Sequence, residues 1–284
     1  MKRRNPISIF LLLILFLFTL SGCGIDDIVR MKQEHDLTEA KLAENENVKL
    51  LISQTTELND RQKRIMQWEG VTTDYSQMND EQKEAAIKIE MLYHYLDEKY
   101  PGKEFEYKNF LLYPIGADLI VKETSDKKHR EVSVSLEWDN KEKKYKYSDY
   151  YYLAVLASDE YEKLIKEHIK ESDPNANFFL DVEIQHVDNE TEKIAIDNAD
   201  GSITIVMENK FASKDEAESY LQEFDDWLIA NNNNHGGIIR LIVVDSNTFE
   251  SAKFSNRVTS NLLESKIIYD IFSEIMENDE LRFW

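Results

Sequence analysis

The period of the apolar residues falls from near 3.6 to 2 at Pro101-Gly102, and that change limits the architectures open to this chain. Before it, the spacing is helical. Residues 25–69 contain neither Gly nor Pro. Ile25 to Met66 as one helix would extend about 63 Å at ~1.5 Å per residue. Leu37, Leu51, Leu58 and Ile65 share a seven-residue phase with Val48 on the same seam, which Glu44 and Gln62 interrupt. Two arrangements fit this segment: a stalk, favoured by the polarity before Val48, or a helix folded back onto the body. Gly70 breaks the pattern. Asn79 or Asp80 then starts a second helix to about Lys99, with Ala85, Ile89, Leu92 and Leu96 at helical spacing.

Beyond Gly102 the period falls to 2. Phe105–Tyr113, Asp118–Glu123, Arg130–Trp138 and Lys144–Ser148 read as strands. Their short turn-rich connections predict an antiparallel meander. Tyr150–Ala157 is apolar and of either type; Ser158 opens a helix to about Lys170. After Pro174 come an alternating strand at Leu180–Gln185 and a hairpin whose turn is Asp200-Gly201, flanked by Ile194–Ile196 and Ile203–Val206. Ser213-Lys214-Asp215-Glu216 is a capping box. The helix it opens ends by Asn231, Ile238–Val244 is a buried strand, and Leu262–Met276 reads as a helix, with a strand as the alternative. The fold class is α+β, with antiparallel meanders packed with helices. The division is a signal at 1–22, a lipidated N-terminus and helical stalk at 23–70, and α+β modules at 71–174 and 175–284. A single continuous sheet is the alternative to two modules.

The first residues set an address. Met1-Lys2-Arg3-Arg4 is basic, and Ile7–Leu20 is uncharged and mostly apolar but short of the roughly 20 residues a membrane span needs. This is the pattern of a secretory signal. Leu20-Ser21-Gly22-Cys23 at its end resembles the lipobox of bacterial lipoprotein precursors. The resemblance implies cleavage before Cys23, diacylglycerol on its sulfur and a protein held by lipid on the outer face of the cell membrane. Two further stretches resemble Gram-positive surface lipoproteins: Met91, Tyr93, Tyr95 and Tyr100 through Phe105, and Asp149-Tyr150-Tyr151. That resemblance carries no activity with it.

Composition narrows the partners. The net charge is −21, and removing the basic signal makes the rest more acidic still. Nucleic acid is excluded as a ligand, because its binding rests on Lys and Arg displacing counterions. The same charge keeps the body off an anionic bilayer, so the lipid alone would hold it there. Cys23 is the sole cysteine, so the body has no disulfide.

Catalytic motifs are missing from the sequence. His35, His94, His129, His168, His186 and His235 are scattered and form no His-Glu-x-x-His. Asp197-Asn198-Ala199-Asp200-Gly201 fails as a calcium loop, since Ile196 and Met207 would occupy ligand positions. Asp245-Ser246-Asn247-Thr248 follows a strand as cation-binding loops do, but a strand-ending turn explains it equally. No metal or cofactor is expected. Tyr145, Tyr147, Tyr150, Tyr151 and Tyr152 offer an aromatic interaction patch for a protein or a wall polymer; the competing explanation, a strand packed on one face, is favoured. The leading expectation is a non-enzymatic binding lipoprotein of the envelope, with a surface-exclusion or immunity factor as one version. An anchored wall hydrolase and a solute receptor are the rivals.

Overall fold

The computed structural model describes residues 25–188, 190, 193–232, 237–253, 267–275 and 281–283. Residues 1–22, read above as a signal, lie outside them with Leu20, Ser21 and Gly22, as do Cys23 and His235. The fold is α+β. The chain separates into two compact units, the first comprising residues up to Tyr93 with Leu111–Ala117 and Leu136–Tyr147, the second the remainder.

In the first unit, helix α1 (Ile25–Gln54) is followed by α2 (Asp60–Trp68) rather than continuing to Met66. The Thr55 hydroxyl bonds back to Leu51 O at 3.0 Å, and Asn59 and Gln62 form a reciprocal capping box with both bonds at 2.8 Å. The absence of Gly and Pro therefore does not suffice for one helix, because hydroxyl and amide side chains compete for the backbone. Nor is the second half of α1 a free stalk. Ala40, Glu44 and Val48 are buried, and Glu44 is salt-bridged to Lys88 of α3 (Asp80–Lys99). Gly70 ends α2 with φ 71°. Gly70 N–H bonds to Gln67 O and Val71 N–H to Met66 O, the paired closure of a left-handed cap. Asn79 caps α3, and its amide N–H is covered in return by Gln82 Oε1.

A four-stranded sheet has the order β1 (Phe105–Tyr113), β2 (Gly116–Glu123), β3 (Glu131–Asp139), β4 (Lys144–Asp149), as a meander requires. Val132, Val134, Leu136 and Trp138 form its buried row on β3.

In the second unit, a π-helical turn (Tyr152–Ala157) runs straight into α4 (Ser158–Ser172). A five-stranded sheet follows, in the order β5 (Phe178–Val187), β6 (Ala199–Glu208), β7 (Ile238–Val244), β8 (Ile267–Ile275), β9 (Leu281–Phe283). It is mixed rather than a pure meander: β6 and β7 are parallel, and α5 (Lys214–Asn231) connects them. One face packs on α4 and α5 through a single large core. Val206, Ile242 and Val244 on the other face meet Phe249 of α6 (Ser246–Lys253), so β7 is buried on both sides.

Two sequence expectations fail here. Asp200-Gly201 is not a hairpin turn but lies inside β6, where Gly201 pairs with Ile184 at a register shift in β5. A Cβ on Gly201 would stand 2.2 Å from Glu183 O, so the glycine serves close backbone approach. Ile267–Ile275 is a strand, not a helix. Ile271 and Ser273 are buried while Asp270 and Phe272, which alternate with them, are only half-buried, and this alternation needs β7 beside it to bury one face. The rest of Leu262–Met276 lies outside the described residues.

Candidate functional site

The tyrosine-bearing stretches Met91–Phe105 and Asp149–Tyr151 converge. Asp149 ends β4 with a carboxylate that has no exposed surface. It accepts from Tyr95 OH at 2.6 Å, Tyr100 OH at 2.7 Å, Lys99 Nζ at 2.9 Å and Tyr151 N–H at 3.0 Å. Edge-on ring contacts, Tyr100–Tyr151 at 4.7 Å and Phe105–Tyr151 at 5.0 Å, close the cluster. Burial works to raise the Asp149 pKa, yet Tyr95, Lys99 and Tyr100 together hold it below the usual carboxylate range. Burial, then the Asp149 charge, pushes the Tyr95 hydroxyl up to about 12. Four donors on one carboxylate leave it little capacity for a ligand, so this cluster is a structural clasp.

The tyrosine patch is distributed rather than assembled. Tyr151 is fully buried in that clasp. Tyr145 packs edge-on against Trp138 at 5.1 Å, and its hydroxyl donates to Glu44 at 3.2 Å. Tyr147 and Tyr150 are exposed by 37% and 61%, and Tyr152 packs against the second unit's core. The packing explanation accounts for three of the five rings.

The candidate site is instead a cleft of about 400 Å³ in the second unit, lined by the C-terminal half of α4 and the outer side of α5. Its floor is Ile169 and Phe224, which belong to the core, and its polar rim is His168, Ser172, Asp173, Lys210, Tyr220 and Glu223. Helical spacing places these groups: His168 and Ser172 stand one turn apart on α4, Tyr220 and Glu223 one turn apart on α5. The His168 imidazole lies flat on Trp227, 3.6 Å between centroids and 6° between planes. Burial lowers its pKa against a weaker pull from Glu171, so it is neutral at pH 7. Lys210 is ion-paired with Asp173, and its ammonium stands 4.3 Å over the Tyr220 ring and 5.1 Å from that of Phe211. Burial, then the Asp173 and Glu223 charges, raises Tyr220 to about 12.

Chemically the cleft joins ring faces to both charge signs and a neutral imidazole. Ser172 Oγ donates to His168 O and Ile169 O of its own helix, so it is not a nucleophile activated by the imidazole. Among the described residues no group of three His, Cys, Asp or Glu could hold a metal ion. Asp245 Oδ1 accepts from Thr248 N–H at 2.8 Å and caps α6, which explains the Asp-Ser-Asn-Thr run. Asn198 caps the turn before β6 through Ala195 N–H. Sequence reasoning listed His168 among scattered histidines and did not single out Asp173, Lys210, Tyr220 or Glu223 as site residues. These come from three chain segments, and the pairing of α4 with α5 has no local signal. No protein-family model matches the chain, and neither a curated protein nor a solved structure matches it. Among the described residues no helix is long and apolar enough to cross a membrane.

Proposed function

We propose that this chain is an exported lipoprotein, held on the outer face of the cell membrane by a diacylglycerol thioether on Cys23, whose body binds a protein or wall polymer. One observation carries the anchor: Leu20-Ser21-Gly22-Cys23 closes a basic, then apolar, N-terminal segment. One acyl chain binds only reversibly, and two give stable anchoring at about 0.8 kcal/mol per buried methylene. The body's acidity fits a domain displayed away from anionic lipid. The α4–α5 cleft supports binding over hydrolysis, because its rings and fixed charges suit recognition and its one serine is turned to its own helix.

Radiolabelled palmitate measures the anchor directly. The wild type should take up label and Cys23→Ala should not; equal labelling of both ends the reading. Crosslinked envelopes should yield a partner with the wild type that is absent with Cys23→Ala. Recovery of nothing above that control counts against a binding role.

A further inference from the structure

Helix α5 works on two sides. Tyr220 and Glu223 line the cleft, while Ala217, Leu221, Phe224, Asp225 and Leu228 are buried. Four of those five are apolar; the fifth is a carboxyl group with 0% exposure. Neither Asp225 oxygen has a hydrogen-bond partner, and the hydroxyl that faces it, Ser273 of β8, is also buried and unbonded. A carboxylate there is shut off from solvent and has one hydroxyl, Ser273, to face, an arrangement that penalises an ion. The protonated acid carries an O–H that a serine oxygen can accept.

We propose that Asp225 is an acid-operated latch: protonated, it fastens α5 to β8 through Ser273, and ionised, it loosens that helix and with it one wall of the cleft. The surroundings offer the ionised form no relief. On β7 the residues of this face are Ile239, Leu241 and Val243. Asp226 beside it on α5 and Asp197 on the turn before β6 are exposed and of like sign. The Arg240–Asp270 pair belongs to the opposite face of the sheet by strand alternation. Burial accordingly raises Asp225 to about 7, with a small opposing pull from Ser273. An unfolded aspartate titrates near 3.9. Between about pH 4 and pH 7 the folded form therefore holds one proton more than the unfolded form. The latch is fully set below that window, weakens up to about tenfold per pH unit across it, and loses nothing more above it. His168 titrates with the opposite sign, so wild type must be compared with a variant that keeps His168.

The test is hydrogen exchange of the α5 amides in the full chain in detergent, from pH 4.5 to 8, corrected for intrinsic rates. Protection in the wild type should fall relative to Asp225→Asn by up to about tenfold per pH unit below pH 7, then run parallel. Ser273→Ala should weaken protection at pH 5 and leave it unchanged at pH 8. Parallel wild-type and Asp225→Asn profiles across the whole range overturn the latch. Should Asp225→Asn fail to fold, carboxyl carbon shifts of the wild type decide: an aspartic acid still protonated at pH 6 supports it, and full ionisation of every aspartate by pH 5 overturns it.

Discussion

Glu44 and Lys88 are each about 1% exposed and meet at 2.7 Å, with Glu84 2.8 Å from the same ammonium. Burial nevertheless raises the Glu44 pKa against the pull of Lys88, so desolvation outweighs the pairing there. Removing one partner leaves the other buried and unpaired. Lys88→Met should destabilise the protein by about 3–5 kcal/mol, and Glu44→Leu combined with it should recover most of that, both read from denaturant midpoints. Asp149 has the opposite sign. Its carboxylate pKa is depressed in the folded state, so its contribution is present above the ordinary value near 3.9 and is lost as pH falls through the lower folded one. Asp149→Asn should lower the melting temperature at pH 7 and flatten the acid limb below pH 4 in a thermal melt series. His129 holds φ 55° in the β2–β3 loop with its side chain exposed, and an L-residue is strained there. His129→Gly should stabilise by roughly 1 kcal/mol in the same assay. In the sequence Glu44 reads as an interruption of a heptad seam; its burial is visible only once Lys88 is placed beside it.

At the scale of elements, the junction of the π-helical turn, α4 and β5 turns on one hydroxyl. The π-helical turn releases carbonyls from the regular ladder. Ser158 Oγ donates to Leu153 O, which also takes the Ser158 N–H, at 2.7 Å and accepts Ile184 N–H of β5 at 2.9 Å. Arg130 Nη1 takes Ala154 O at 2.9 Å. Ile184 is where the β5 register shifts and where Gly201 of β6 lies opposite. Ser158→Ala should therefore cost about 1–3 kcal/mol, the penalty for the buried Ile184 N–H losing its acceptor. Gly201→Ala should be worse than an ordinary strand Gly→Ala change, since Glu183 O blocks the added methyl; both are measured by chemical denaturation. The four strands of the first sheet were legible to within two residues at each end, because turn residues bound them and β2 and β3 alternate between buried and more exposed positions. Ser158 was legible as a helix start but for another reason: it sits within continuous helix as a plug, not as an N-cap. Asp200-Gly201 misled because the same dipeptide serves a tight turn or a close strand crossing, and only the partner strand decides which.

For the molecule as a whole, a net charge of −21 makes self-repulsion a general tax on the compact state. The Debye length falls from about 30 Å at 0.01 M to about 10 Å at 0.1 M salt. The melting temperature should rise across that range and level off at higher salt, as scanning calorimetry would show; a steady fall would mean that local ion pairs such as Lys128–Glu162 and Arg130–Asp126 outweigh the net field. Local information in the chain determined the fold class, the helix caps at Asn79 and Ser213 and the first sheet, because periodicity and capping chemistry are each read within a few residues. Tertiary structure alone decided that α1 docks through Glu44, that β6 and β7 run parallel, that β8 is a strand, and that α4 and α5 enclose a cleft above a buried Asp225. Each of those depends on which distant segment lies alongside, and burial by a distant neighbour leaves no mark on the local pattern.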